Sequence, residues 1–387
     1  MLHHPKRQRN LESEGHFVMQ QRKTRVIYNC DADNMFIYDY PMTVDNVNRY
    51  VDEIADTDIT TFFMCCNYGM DMNFRGETVQ LIGDRLTAEQ VEALKGPAVS
   101  KPASFQRGIL NFRHLIQQGH DPLGLVISRA QEKGCETFVT FRLNEVHCVD
   151  EEPDSVLLSK FWLEHPEWRV GKVGDPLPDL HKTILGPVHP IVASWLPAGL
   201  DFAVPQVRDY VLAQLTEVCE RYPLDGLDLD FQRFPIYFRF GQETSNLPVM
   251  TEFVRSIRSM TNRVAGGRGK PMLLSARIME APEQNLGLGL DPVSWAREGL
   301  IDFVTVSHYL RNTHPLPIRE FRRLLPSDIP IYGSIEFERE PDRYREIARQ
   351  IWKDGADGIM LFNFFCAREG GSEPMFWLLN ELANAAR

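Results

Sequence analysis

Eight short apolar stretches, each followed by helical punctuation, recur along this 387-residue chain, at 25–30, 61–66, 137–143, 226–232, 272–279, 303–309, 329–336 and 358–364. Strand and helix alternating in this way predict stacked βα units and a parallel sheet. Three helix boundaries are written clearly. Asp121-Pro122 opens a helix that Gly134 ends, Asp291-Pro292 opens one that Gly299 ends, and Pro341 starts one that Gly355 stops. Capping Asp residues, Pro in the first turn and Gly just past the end satisfy or tolerate the unpaired groups of helix termini. Eight strand–helix pairs predict an α/β fold, a (β/α)8 TIM barrel whose site lies on the loops after the C-terminal strand ends. A doubly wound open sheet is disfavoured, because no Gly-x-Gly-x-x-Gly follows the first strand.

Residues 1–22 carry His3, His4, Lys6, Arg7 and Arg9 and lack the apolar core of a secretory signal, which predicts a flexible N-terminal arm. Residues 23–387 are then expected to form one catalytic barrel. Two connections are oversized, at 67–120 after strand two and 145–201 after strand three, and such excursions tend to carry function. The second holds Trp162, Trp168 and Trp195, half of the chain's 6 tryptophans. A formal net charge of -11 repels phosphate and argues against nucleic acid or an anionic membrane surface as partner. No apolar run reaches the ~18 residues of a membrane span. The 7 cysteines, an odd number with no Cys-x-x-Cys, point to reduced thiols and a cytoplasmic location rather than a disulfide framework or zinc site. His181 and His189 match no compact ligand spacing, so no metal or other cofactor is expected.

The densest chemistry falls at the expected mouth of the barrel. In Asp225-Gly-Leu-Asp-Leu-Asp-Phe-Gln-Arg233, alternation puts Leu227, Leu229 and Phe231 on one face and Asp228, Asp230 and Gln232 on the other. Two acids side by side on a buried strand are costly unless they bind or pair with something. Asp228 lies deeper and Asp230 nearer the mouth, with Arg233 following in the loop. Strand three ends Phe141-Arg-Leu-Asn-Glu-Val-His147, and parity places Arg142 and Asn144 inward with Glu145 and His147 at the rim. The plainest role for Arg142 is neutralising Asp228 or Asp230 on the neighbouring strand. Further acids at the same level are Glu280, ending strand five, and Glu336, ending strand seven; strand six adds His308 and Tyr309, and strand eight Asn363. Paired carboxylates suit glycosidic cleavage, where one protonates the leaving oxygen and the other attacks or activates water. Trp168 is the loop aromatic singled out to stack on a sugar ring.

These segments, with Asp121-Pro-Leu and Val207-Arg-Asp-Tyr210, resemble the glycoside-hydrolase-like (β/α)8 proteins related to the family ten glycosyl-hydrolase-like sequences. The resemblance spans about Arg25 to Phe364 and implies a carbohydrate-active barrel. Strand four is also similar to the Asp-Gly-x-Asp-x-Asp-x-Glu signature of chitinase-like hydrolases, whose terminal acid is here Gln232. An amide cannot act as a general acid, so the second carboxyl must come from another strand. The α-amylase-type strand four is similar too, and implies Asp230 as nucleophile with an acid near Glu280. The expectation is a glycoside hydrolase using Asp230 with Glu336 or Glu280, while Asp228, Arg142, Asn144, Glu145, His147, Gln232, Arg233, Trp168, His308, Tyr309 and Asn363 contact or orient the carbohydrate. The alternatives are a catalytically inactive carbohydrate-binding barrel, motivated by Gln232, and a lyase or aldolase using His147 or Tyr309.

Overall fold

A computed structural model of the chain describes residues 23–31, 33–96 and 103–383; the expected arm at 1–22 lies outside the described residues. Eight parallel strands run β1 (Arg25–Cys30), β2 (Thr61–Cys65), β3 (Glu136–Arg142), β4 (Gly226–Asp230), β5 (Leu273–Met279), β6 (Phe303–Ser307), β7 (Ile331–Ile335) and β8 (Gly358–Leu361). They close into a barrel in sequential order, with β1 between β2 and β8. The predicted TIM barrel is therefore what the chain folds into. A helix follows every strand, and the predicted starts hold: Asp121 accepts from the Gly124 amide before Pro122–Glu132, and Asp291 from the Ser294 amide before Pro292–Arg297. The third, Pro341–Lys353, starts at its Pro without a side-chain cap. Among the described residues no helix is long and apolar enough to cross a membrane.

Several strands stop short of their predicted ends on the mouth side, and β5 and β7 also start one and two residues later than expected. β4 ends at Asp230 because the Phe231 amide turns to the Leu229 and Arg277 carbonyls, both at 3.1 Å, and Phe234 then takes a left-handed φ of 57°. Inward–outward parity therefore lapses after Asp230, and likewise after Arg142 on β3. The two long connections are not bare loops. The first contains a hairpin of Asn67–Tyr68 and Asp71–Met72 and the helix Ala103–Gln117; the second contains Asp179–Leu185 and Pro190–Trp195.

The barrel interior is layered. At the bottom, Arg25 of β1 meets Glu136 of β3 and Tyr332 of β7. Above that plug sits an apolar layer of Ile27, Phe63, Phe138, Phe303 and Met360, with Phe63 and Phe138 stacked at 4.8 Å between ring centroids. Above it again, inward positions turn polar. Thr140, Asp228 and Ser275 lie in register across β3–β5, and one pleat higher so do Arg142, Asp230 and Arg277. The bulky aliphatics that fill most TIM-barrel interiors thus give way to polar and charged groups toward the mouth.

Candidate active site

Two linked polar networks occupy the mouth. The deeper one is built on Arg277 of β5, which is 1 % exposed. Its Nη1 lies 3.3 and 3.2 Å from the two carboxylate oxygens of Asp230, and its Nη2 lies 3.4 Å from Glu336 Oε1 and 3.2 Å from Ser307 Oγ. The guanidinium carbon sits 3.6 Å from the Phe362 ring centroid, a cation–π contact that fixes its plane. One buried guanidinium thus holds two carboxyls, one from β4 and one just past β7.

The two carboxyls are treated differently. Asp230 Oδ1 also accepts the backbone amides of Gln232 at 2.9 Å and Arg233 at 3.1 Å, so the turn after β4 wraps around it. Glu336 receives one further side-chain bond, from Asn363 Nδ2 at 3.1 Å, while Asn312 braces its backbone amide and carbonyl at 2.9 Å each. Burial pushes the Glu336 carboxyl up to about 7, against the opposing pull of Arg277, Arg233 and Asn363. Below, Asp228 accepts Ser275 Oγ at 2.6 Å and Thr140 Oγ1 at 2.9 Å. Burial, with Asp230 overhead, also pushes Asp228 up to about 7.

The second network lies nearer solvent. Arg142 pairs with Asp31, just past β1, and with Glu145 Oε2 at 3.2 Å. This corrects the expectation that Arg142 neutralises Asp228 or Asp230, a role that Arg277 takes for Asp230. Glu145 accepts the His147 backbone amide at 2.8 Å and the ring Nδ1. The other ring nitrogen, Nε2, faces Arg233 Nη2 at 2.9 Å. A guanidinium only donates, so Nε2 accepts and the proton sits on Nδ1, which makes His147 a neutral imidazole. Burial lowers the His147 pKa in agreement. Burial opposes ionisation of Glu145, but His147, Arg142 and Arg233 hold its pKa down to about 2. Arg233 joins the two networks through its backbone amide on Asp230.

Above these groups opens a cleft of about 760 Å3, whose charged and polar lining includes Asp31, Arg142, His147, Arg233, Asn363 and Glu369. Its size is that of a small-molecule site. Phe105 and Trp195 supply aromatic walls, with ring centroids 6.0 and 5.9 Å from His147.

Other predicted residues sit elsewhere or do other work. Asn144 is a staple for the second long connection: its amide donates to the carbonyls of Leu200 at 3.0 Å and of Ile236, and its oxygen accepts the Leu200 amide at 2.8 Å. Gly199 is required there, since a Cβ would lie 2.6 Å from Asn144 Nδ2. The inward placement of Asn144 is corrected, because the strand has already ended at Arg142. Gln232 ties strand ends together, donating to Ile278 O at 2.9 Å and Ser307 O at 2.5 Å. Trp168 stacks on His165 at 3.6 Å, beside Phe161 and away from the cleft; Trp195 is the loop tryptophan that faces it. Glu280 contacts His308 and Arg311 (the latter at 3.3 Å) and accepts Gln284 Nε2 at 3.0 Å, with no contact to Asp230 or Arg277. Burial, then His314 and Arg311, drives the His308 pKa down to about 3. Tyr309 is 2 % exposed, its hydroxyl has no hydrogen-bond partner, and it lies within electrostatic reach of Arg233, Arg277 and Asp230. Among the described residues no group of three or more His, Cys, Asp or Glu gathers to hold a metal ion.

Two residues central to this site were not singled out in the sequence. Arg277 shares the inward parity of Ser275 and Met279 on β5, so strand alternation alone could have found it. Asp31 follows Ile27 and Asn29 at the same parity, one step past β1.

Fold and mouth together define a (β/α)8 barrel that gathers buried carboxyls and arginines at the C-terminal ends of its strands. Residues 99–253, which include β3 and β4, match the family described as Glycosyl hydrolase-like 10. The chain is similar in fold to the PgaB (BpsB) glycoside hydrolase domain from Bordetella bronchiseptica, with a TM-score of 0.56 and 10% identity over 93% of this chain and 99% of that one. It is likewise similar to an endo-beta-1,4-mannanase from Thermotoga petrophila, with a TM-score of 0.50 and 11% identity over 94% of this chain and 77% of that one. At such identities the likeness is one of fold. No curated protein sequence matches the chain.

Proposed function

We propose that the protein is a glycoside hydrolase in which Asp230 and Glu336 are the paired carboxyls. The observation that carries this reading is the single buried guanidinium of Arg277 between two carboxyls whose surroundings differ. Asp230 meets only donors, namely two amides and the guanidinium, and fits the nucleophile or general base. Glu336, raised to about 7 by burial, fits the acid that still carries a proton near neutrality. Arg277 supports both roles at once, because it offers a positive charge to Asp230 through one nitrogen and to Glu336 through the other. Asp228 supports the layer from below, and Arg142, Glu145, His147, Arg233 and Asn363 orient the sugar above. Glu280 is the less favoured partner, since its contacts lie with His308 and Arg311.

A second reading draws on a specific feature: Asp230 and Glu336 are only 1 % and 6 % exposed and lie beneath the cleft lining rather than in it. That favours a carbohydrate-binding barrel without turnover. One experiment separates the two. A panel of oligosaccharides is incubated with the protein, and both binding and released products are measured. Cleavage that falls by at least ~100-fold in Asp230→Asn supports the hydrolase, on the magnitude of a positioned acid–base group. Binding without products supports the second reading. Full turnover in Asp230→Asn would sink the assignment of that residue.

A further inference from the structure

The cleft contains four arginines, and they are not alike. Arg142 is matched by Asp31 and Glu145, and Arg368 by Glu53 at 2.8 Å and Glu373 at 2.6 Å. The other two, Arg233 and Arg107, have no carboxylate within ion-pair distance among the described residues. Arg233 meets the neutral His147 ring at 2.9 Å and lies over Phe234, with its guanidinium carbon 5.1 Å from the ring centroid. Among the described residues its buried Nε has no hydrogen-bond partner, and Arg107 donates only to the Ile37 carbonyl, at 3.2 Å. We propose that Arg233 and Arg107 form a recognition subsite for the carboxylate of an acidic sugar, such as a uronic-acid residue of the substrate. The inference rests on the carbohydrate reading of this cleft and specifies which carbohydrate it takes.

Charge and geometry both support it. A half-buried guanidinium facing a neutral imidazole keeps an uncompensated charge, and a ligand carboxylate relieves that cost. The planar fork of arginine matches a carboxylate through two parallel N–H···O bonds, which a hydroxyl cannot reproduce. Positive charge is not general on this molecule, whose net charge is -11. Of the acids lining the cleft, Asp31 is occupied by Arg142. Glu369 stands at the exposed edge, and its carboxyl is pushed upward by burial of its inner part and by Asp31. Arg233 also favours ionisation of Glu145, Glu336 and Glu369 from a distance but forms an ion pair with none of them. Phe105 and Trp195 line the same cleft and offer faces for a sugar ring.

The test uses the full chain and calorimetric titration with matched oligosaccharides that differ only in oxidation at C6. Cello-oligosaccharide is set against β-1,4-glucuronan oligomers, and oligogalacturonate against its carboxyl-reduced form, the α-1,4-linked galactose oligomer. The uronic member of at least one pair is expected to bind ~10-fold tighter, with an advantage that shrinks as salt is added. R107Q is expected to remove most of that advantage while leaving the neutral member unchanged, and R233Q to remove it together with whatever Arg233 contributes to the neutral member. Arg107 is exposed, so R107Q keeps the test valid if R233Q disturbs the fold around His147. Equal binding of neutral and uronic members, or equal weakening of both by R107Q, overturns the acidic-sugar subsite alone. Failure of every pair to bind the unaltered protein overturns the carbohydrate reading and the subsite with it.

Discussion

The two ends of the barrel each bury an arginine with carboxylate, yet they are built in opposite ways. At the bottom, Arg25 grips Glu136 with two bonds of 2.6 and 2.9 Å; Lys23 at 3.2 Å and Thr61 at 3.0 Å complete the set, and Tyr332 accepts the remaining Arg25 donor at 2.8 Å. These four donors fill the lone-pair sites of the carboxylate, and they hold the Glu136 pKa below its ordinary value despite burial. At the mouth, one arginine serves two carboxyls at 3.2–3.4 Å, and one of them is raised to about 7. A saturated pair stabilises the fold and has no proton to exchange. An undersupplied pair costs stability and leaves one group able to gain or lose a proton near neutrality. This is the division of labour expected of a TIM barrel, with stability at the bottom and chemistry at the mouth.

Breaking each end in turn gives the largest expected effect. Arg25→Met leaves the partly buried Glu136 with only the exposed Lys23 for a cation, and should cost about 1.5–3 kcal/mol of stability in urea unfolding, the worth of hydrogen bonds to a charged group. Activity per folded molecule should be unchanged. Arg277→Met should do the reverse: turnover is lost, while stability falls by less than in Arg25→Met because Glu336 can accept a proton instead of staying charged. If the two variants lose equal stability, the distinction between the ends does not hold.

The pH dependence of stability sharpens the same contrast, because the signs are opposite. Glu136 is held below its ordinary 4.5, so its contribution is present above that pH and is lost as pH falls. Glu336 is raised from 4.5 to about 7, so its contribution is present at low pH and is lost as pH rises through that window, by about 3 kcal/mol. Asp228, raised from 3.8 to about 7, titrates with the same sign over nearly the same range. Unfolding measured from pH 4 to pH 8 should show the loss, with part of it absent in Glu336→Gln and the rest absent in Asp228→Asn. On a cleaved glycan, kcat/KM should fall as pH rises above about 7, and Glu336→Gln should lower it ~100-fold or more at every pH. A Glu336→Gln enzyme with an unchanged pH profile would remove Glu336 from the acid role.

What could be read in advance follows the physics of regular structure. Strand alternation placed Asp228 and Asp230 inward because they lie inside β4, and the βα repeat gave the barrel because each strand needs a crossover helix to meet a parallel neighbour. Parity fails two residues past the ends of β3 and β4, where backbone hydrogen bonds no longer dictate direction: Asn144 and Gln232, expected to contact the carbohydrate, spend their amides on carbonyls. Glu336, one step past its strand, is held inward by Asn312 and by Arg277, neither of which is adjacent in sequence. Trp168 and Trp195 are equivalent by composition; only the folding of the second long connection decides which one faces the cleft. The Arg142 partner was misassigned for a related reason, since Asp31 comes from β1, two strands away.

The smallest effect tests how finely the mouth is balanced. Asn363 gives Glu336 the hydrogen bond at 3.1 Å that favours its charged form. Its backbone φ of 56° lies in the left-handed region, where alanine would add strain of its own, so glycine is the cleaner replacement. Asn363→Gly removes only the amide. Stability at pH 5, where Glu336 is protonated, should change by less than about 1 kcal/mol, the net worth of one hydrogen bond. Above pH 7 the loss should be larger, because the charged carboxylate then depends on Arg277 alone among its direct side-chain donors. Carbon-13 NMR of labelled Glu336 should show its pKa moving further up, and the alkaline limb of the kcat/KM profile should move with it. A pKa that stays in place would mean that Arg277 already supplies all the charge stabilisation Glu336 receives, and the mouth would then resemble the bottom plug more closely than its longer contacts suggest.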